Sequence, residues 1–305
     1  MAKPEPPPKP QPRSMYVFHG YGGHGRAVGS PENFPDTPEF DASFRISGET
    51  LRDTLQKRFP DDKVFVQKAW EKNSLLATLA SAADPIAQVH IMCHGAPTRA
   101  SLAAFYDNLS RLRARARRFN ALPKPDDEAN VVAALREEDA LCANFFKRGM
   151  DAGAKAALKG RHARDASWHI WACACGNPEG ALGYPDPEID VYLKRFGFGQ
   201  LKAEGIAIEI ARELGVVCTA SIEDVATDNG LAFWHGDAKK NVVRNDNKTG
   251  AKKPFWMWID PKAKWVSYDA AGKAMPEVSF MGVTRKPADL PKDGPPKWLT
   301  DAYWA

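Results

Sequence analysis

The sequence predicts an α/β fold built on a mainly parallel β-sheet with helices on both faces. Short apolar runs alternate with stretches of helical periodicity, a pattern typical of parallel strands joined by crossover helices. The chain has 305 residues, of which 44% are hydrophobic and 26% charged, as in ordinary globular proteins. A chain of this length can bury enough surface to fold without disulfide bonds or a structural metal.

Strands are predicted wherever a short apolar or β-branched run ends at a glycine, a proline or a small residue. These runs cover residues 14–18, 63–69, 87–93, 168–172 and 216–221.

The clearest helical patterns lie between these runs. A first helix is predicted over 47–59, where apolar residues recur every four positions before a proline. A second is predicted over 74–83, with Asn73 as its N-cap. A third is predicted over 201–214, and Gly215 is the expected C-terminal stop.

The chain divides by composition into a lead, a main domain and an extension. Residues 1–13 contain six prolines and are expected to form a disordered lead. The main domain is expected over 14–225. The extension, 226–305, contains aromatic runs at 255–259 and 265–268, which we expect to form a hairpin packed on the same domain.

Within the main domain, residues 101–165 are rich in alanine, leucine, arginine and glutamate. They contain no good strand pattern, so a helical insertion is predicted. An arginine run in this insertion is interpreted as a solvated helix face. Its members are Arg111, Arg113, Arg115, Arg117 and Arg118.

Charge and hydropathy exclude two classes of partner. The net charge is +4, from 42 Lys and Arg against 38 Asp and Glu, which is too balanced to indicate nucleic acid. No apolar run approaches the roughly 20 residues that a membrane-spanning helix needs. The N-terminus has no apolar signal-peptide core, so we expect a cytoplasmic protein, or one exported without a cleaved signal peptide.

Five cysteines, an odd number in a chain without a recognisable signal, favour reduced thiols over a disulfide framework. Cys93, Cys142 and Cys218 are expected to be buried apolar side chains. Cys173 and Cys175 follow a predicted strand and are candidates for chemistry.

Three predicted strands end in reactive or flexible residues: His19-Gly20, Cys93-His94-Gly95 and Cys173-Ala174-Cys175-Gly176. Functional groups gather at the carboxyl ends of parallel strands, so a histidine and a cysteine can meet there. An imidazole can ionise a thiol near pH 7 and later protonate a leaving amine. The N–H groups of Gly95 and Cys173 could form an oxyanion hole. A cysteine–histidine dyad is therefore predicted.

An apolar strand ending in His-Gly and a later one ending in Ala-Cys-x-x-Gly resemble the caspase-like cysteine peptidases. This group includes caspases, gingipains, separase and the bacterial CHAT-domain proteases, and the cysteine turn is most similar to the CHAT form. The resemblance implies a three-layer α-β-α fold with no cofactor. It also implies that His94 is the general base and acid, Cys173 the nucleophile and Gly95 an oxyanion donor.

The resemblance also suggests substrate-binding residues. Arg45 precedes the first predicted helix much as a substrate-binding arginine does in caspases, so it could pair with an acidic P1 side chain. The alternative is an ordinary surface arginine, with Asp41 or Asp224 selecting a basic P1 residue. His19 is expected to border the site. Cys175 stands where a non-thiol is usual and is expected to shape the pocket or to act as a redox partner.

Two other functions stay open. One is a zinc- or redox-active Cys/His protein, although only His94, Cys173 and Cys175 could converge, which leaves one zinc ligand missing. The other is a caspase-like pseudoenzyme that acts as a binding module. The expected partners are a protein or peptide substrate and an inhibitor or immunity protein. The setting is left open between a bacterial effector or toxin and a defence protease.

Overall fold

The computed structural model describes residues 11–20, 38–102, 107–178, 186–197, 204–222, 225–228, 256–259, 265–280 and 283–285. Most of the proline-rich lead, the glycines of the loop after His19 except Gly20, and Asp224 lie outside these ranges. The strands are β1 (Ser14–His19), β2 (Lys63–Lys68), β3 (Ile86–Met92), β4 (His94–Ala96), β5 (Arg99–Ser101), β6 (Leu141–Cys142), β7 (His162–Trp171), β8 (Val217–Ser221), β9 (Val225–Asp228), β10 (Trp256–Ile259), β11 (Trp265–Tyr268), β12 (Val278–Phe280) and β13 (Val283–Arg285). The helices are α1 (Pro38–Arg58), α2 (Lys72–Ala80), α3 (Asp107–Asn120), α4 (Glu128–Glu137), α5 (Ala152–Arg161), α6 (Pro187–Gly197) and α7 (Ile206–Leu214), with a π-helical turn at Phe145–Gly149.

The central sheet has six strands in the order β11-β8-β7-β3-β1-β2. Neighbouring strands from β2 to β8 are parallel, and β11 pairs antiparallel with β8 at one edge. The prediction of an α/β fold with a mainly parallel sheet is confirmed. In this arrangement the carboxyl ends of β1, β3 and β7 lie side by side at one edge of the sheet.

Both faces of the sheet are covered by helices, which explains why the inner strands β1 and β3 are buried at every position. Met15 and Val17 of β1 pack in one core cluster with residues of α1. Tyr16 and Phe18, which alternate with them, pack in a second cluster with residues of α2, α5 and α7. The sheet therefore has an α1 face and an opposite face, and alternation along each strand decides which face a side chain joins.

Several helix boundaries differ from the predictions. α1 begins at Pro38, well before the predicted start, where the apolar pattern used for the prediction is absent. α2 has Glu71 at its N-cap without a side-chain bond, so the assignment of this role to Asn73 is wrong. α7 ends at Gly215, which has a φ of 71°, so its predicted role as the stop is confirmed.

The predicted C-terminal hairpin is wrong. β10 and β11 are both strands, but β10 pairs with β9, whereas β11 pairs with β8 in the central sheet. Aromatic and β-branched composition indicates a strand but does not specify the strand with which it pairs.

A further antiparallel sheet, β4-β5-β6, lies in the region after β3. It reaches into the insertion that was predicted to be wholly helical.

The arginine run of α3 binds acidic residues rather than forming only a solvated face. These pairs join α3 to the α4 region and to α6, and we call α3, α4 and α6 together the helical lobe. The pairs are Arg113–Asp186 at 2.6 Å, Arg115–Asp139 at 2.9 Å, Arg117–Glu188 at 2.7 Å and Arg118–Glu137 at 2.7 Å.

Among the helices in the described ranges, none is long and apolar enough to cross a membrane.

Candidate active site

The ends of β3 and β7 bring His94 and Cys173 to neighbouring positions. Met92 and Trp171 are register partners, and the Cys93 N–H donates to the Trp171 carbonyl at 3.4 Å, so pairing continues beyond β3. His94 and Cys173 each follow this register pair by two residues, so the two residues leave the sheet at the same edge. Both residues are half-buried, so each is anchored and still open to solvent.

Gly95 allows the His94 segment to lie directly on the cysteine turn. A Cβ atom at this position would lie 2.5 Å from the Cys173 carbonyl oxygen, 2.6 Å from the Cys175 Sγ and 2.7 Å from the Ala172 Cβ. Carbon atoms do not approach other heavy atoms this closely without displacement. The absence of a side chain at Gly95 is therefore what lets the histidine strand and the cysteine turn make contact.

Replacement of Gly95 by alanine is expected to separate the two segments. We expect the free energy of unfolding to fall by roughly 2–3 kcal/mol, as for other overpacked sites. Urea unfolding of both proteins measures this. Gly160→Ala is the matched control, because a Cβ there meets nothing within 4 Å. Equal stability of Gly95→Ala and the parent protein would show that the histidine strand and the cysteine turn are not in close contact at Gly95.

The turn after β7, residues 173–177, is held by the neighbouring strands. Ala174 has a φ of 54°, a left-handed conformation that costs a non-glycine residue about 1–3 kcal/mol. The Gly176 N–H donates to the Ser221 carbonyl at 2.7 Å, and the Tyr268 hydroxyl donates to the Gly176 carbonyl at 2.6 Å. The strain at Ala174 is thus sustained by contacts with β8 and β11, and the turn presents Cys173 in a fixed position.

Cys175 differs from Cys173 in its surroundings. Its side chain is fully buried, and its single S–H group can donate to the carbonyl of Ala96 at 3.4 Å or to that of Arg99 at 3.5 Å. Burial raises the pKa of the Cys175 thiol far above its usual value. This burial corrects the expectation that Cys175 shapes the pocket, and the alternative role as a redox partner stays a prediction. The left-handed residue between the two cysteines reverses the chain, so Cys175 points inward and supports the turn.

Phe44 of α1 packs against the imidazole of His94. The two rings are 5.2 Å apart at an angle of 68°, an edge-to-face contact, and Phe44 is itself buried. Trp171 and Trp265 lie in the same core cluster, with ring centroids 5.4 Å apart. Nothing in the sequence pattern points to Phe44, because its contact with His94 joins segments that are distant along the chain.

His19 and Arg45 occupy different positions near this edge. His19 ends β1 and is buried, and its Cβ lies 3.8 Å from the Cβ position of Gly48 on α1. Burial lowers the pKa of His19. Arg45 lies within α1 rather than before it, is half exposed and binds Glu49 at 2.8 Å. His19 therefore lies near the His94 segment but is largely enclosed, whereas Arg45 is a surface residue with an acidic partner.

Two further histidines form a buried stack within β3 and β7. The rings of His90 and His169 are parallel within 13° and 4.5 Å apart. The Trp171 indole donates to Nδ1 of His90 at 3.1 Å, so His90 donates through Nε2 to Gln88 at 3.0 Å, and His169 bonds Ser167 at 2.9 Å. Burial lowers the pKa of both rings, that of His169 to about 3.

The stacked histidines are thus neutral structural groups. Across the ranges that the structure describes, no three His, Cys, Asp or Glu side chains form a group that could hold a metal ion. The other thiols fit the expectation for buried apolar residues, since Cys93, Cys142 and Cys218 are all buried. Burial raises the pKa of Cys142 to about 12.

No protein-family model, curated protein or solved structure matches this chain. Conclusions about function therefore depend on the site itself. That site consists of one accessible thiol, one accessible imidazole and a backbone glycine in contact with the thiol's own residue. Such an arrangement can support nucleophilic attack with proton transfer.

Proposed function

We propose that this protein is a caspase-like cysteine endopeptidase that hydrolyses peptide bonds with a dyad of Cys173 and His94. The observation that supports the proposal is that His94 and Cys173, both half-buried, follow the ends of adjacent strands, and that a Cβ at Gly95 would lie 2.5 Å from the Cys173 carbonyl oxygen. Of the cysteines in the described residues, the others are all buried, so Cys173 is the thiol open to a substrate.

In the proposed mechanism, His94 accepts the proton of the Cys173 thiol, and the thiolate attacks the substrate carbonyl carbon. The resulting imidazolium protonates the leaving amine as the C–N bond breaks, which leaves a thioester on Cys173. His94 then accepts a proton from water, whose oxygen attacks the thioester carbonyl. Breakage of the C–S bond releases the acid and restores the thiol as His94 returns its proton.

The developing oxyanion needs donors near Cys173. Pro97 and Thr98 make a two-residue turn between β4 and β5, whose closing pair is Ala96 and Arg99. Hydrogen-bonded and non-hydrogen-bonded pairs alternate in an antiparallel ladder, so the next pair, which contains Gly95, leaves its N–H directed away from β5. This N–H and that of Cys173 are the proposed oxyanion donors.

The proposal is tested by labelling with iodoacetamide at pH 6 and identification of the modified cysteine by mass spectrometry. A free thiol of pKa about 8.5 is less than about 1% ionised at this pH, so we expect Cys173 to react at least about tenfold faster than free cysteine. His94→Ala should abolish this advantage, whereas Cys175→Ala should keep it. Labelling of Cys173 no faster than free cysteine would contradict the dyad.

Peptide hydrolysis, measured on the same sample as the labelling, separates this proposal from a binding-only role. A fluorescence-quenched peptide library of mixed sequence supplies the substrate and reports the P1 preference. Arg45 would favour cleavage after acidic residues, and cleavage only after lysine or arginine would exclude that role. The biological setting that we propose is an effector, toxin or defence protease acting on a protein substrate.

A further inference from the structure

Ser101 lies directly opposite His94 in the small antiparallel sheet. β4 and β5 pair with His94 against Ser101, Gly95 against Ala100 and Ala96 against Arg99. Opposite residues in an antiparallel pair present their side chains on the same face, with Cβ atoms about 4.5–5.5 Å apart. The Ser101 hydroxyl therefore shares a face with the His94 imidazole.

The side chain of Ser101 is fixed by Arg99. Arg99 Nε donates to Ser101 Oγ at 3.1 Å, and Ser101 is buried. The same arginine donates through Nη2 to Glu138 Oε1 at 2.8 Å. The side chains of this ion pair are only 12% and 3% exposed, so water screens it little. A continuous chain of polar contacts thus runs from the buried Glu138 to the residue opposite His94.

Glu138 also connects to the helical lobe. It follows α4, and Arg115 of α3 donates to its Oε1 at 3.5 Å. The hydroxyl of Tyr192 on α6 donates to Oε2 at 3.5 Å. A single buried carboxylate therefore receives groups from three separate elements, one of which is the strand that pairs with the His94 segment.

We propose that Ser101, held by Arg99 and Glu138, is a positioning residue for His94, and that the helical lobe thereby controls whether the dyad can act. This inference rests on the proposed peptidase function. Ser101 Oγ accepts the N–H of the imidazole nitrogen that does not face Cys173. Such a bond fixes the tautomer in which the other nitrogen can accept the thiol proton. Loss of the Glu138 charge frees Arg99 and releases Ser101.

Ser101→Ala is expected to lower kcat by roughly tenfold or more with KM unchanged, because misplacement by about 1 Å can cost about 100-fold. The rate of Cys173 labelling by iodoacetamide at pH 6 should fall in parallel. Ser101→Thr, which keeps the hydroxyl, should restore both rates. If Ser101 served only in packing, the hydroxyl of Ser101→Thr would not restore kcat and the labelling rate.

Glu138→Gln provides a second variant that acts at a distance from the dyad. It should lower kcat and the labelling rate together, whereas Glu137→Gln should change neither. Glu137 is the matched control because it is adjacent in sequence, half exposed and paired with Arg118 at the surface. Thermal unfolding of each variant establishes that the proteins compared are folded.

The outcomes distinguish the two proposals. If Ser101→Ala or Glu138→Gln is folded and as fast as the parent protein, the positioning role is wrong and the dyad stands. If Ser101→Thr is as slow as Ser101→Ala, the hydroxyl is not the required group and the inference fails. If the parent protein neither hydrolyses peptides nor shows enhanced labelling of Cys173, the peptidase proposal fails, and the inference fails with it.

Discussion

Replacement of Cys173 by alanine should lower kcat for peptide hydrolysis by at least about 10⁴-fold, because in the proposed mechanism its thiol forms the thioester. His94→Ala should cause a loss of similar size, since the thiol is then neither ionised nor able to pass its proton to the leaving amine. The double variant should be no slower than either single variant, because residues that act as one unit are not additive. Steady-state kinetics on the best-cleaved library peptide measures all three.

Cys175→Ala is the internal control for this prediction. The thiol of Cys175 is buried within hydrogen-bonding distance of two carbonyls, so its loss should reduce stability by roughly 1 kcal/mol while a substantial part of kcat remains. An inactive Cys175→Ala beside an active Cys173→Ala would reverse the assignment of the nucleophile. Activity in both single variants would refute the peptidase proposal.

A second large effect is expected on stability in mild acid. Burial lowers the pKa of His90 far below its usual value, that of His169 to about 3 and that of His162 to about 4. The unfolded chain protonates these histidines near pH 6.5, whereas the folded protein does not. These histidines therefore cost no free energy of unfolding above pH 6.5, and the free energy of unfolding falls as the pH drops toward their pKa values in the folded protein. Each group contributes a loss of up to about 1.4 kcal/mol per pH unit.

One buried acid opposes this trend. Burial raises the pKa of Glu209 to about 7, although the backbone N–H groups of Asn144 and Lys147 donate to its carboxylate. Its folded form binds a proton that the unfolded form lacks between about pH 7 and 4.5, so its contribution to stability rises as the pH falls. The net expectation is a loss of about 3 kcal/mol per pH unit between pH 6 and 5.

Urea unfolding followed by circular dichroism at intervals from pH 7.5 to 5 measures this dependence. His162→Gln is the most conservative variant, since His162 lies at the start of β7 and is only partly buried. It should reduce the slope by about 1.4 kcal/mol per pH unit. A free energy of unfolding that does not change between pH 7 and 5 would show that these histidines are not neutral and enclosed in the folded protein.

The sequence alone was enough to predict the five parallel strands of the central sheet and the edge at which the candidate site residues lie. Their positions follow from short apolar runs that end in glycine or small residues, which is a local signal. The sequence also pointed to His94, Gly95 and Cys173 together, because parallel strands bring their carboxyl ends to one edge. The buried state of Cys93, Cys142 and Cys218 followed from composition.

Tertiary structure decided what depends on contacts between distant segments. It paired β11 with β8 instead of β10, because the composition of a strand does not specify which strand it pairs with. It turned Cys175 inward, because the left-handed Ala174 breaks the alternation that an extended chain would keep. It also placed Ser101 opposite His94 and linked Arg99 to Glu138. Register and ion pairing across the fold depend on three-dimensional packing, which residue spacing along the chain does not encode.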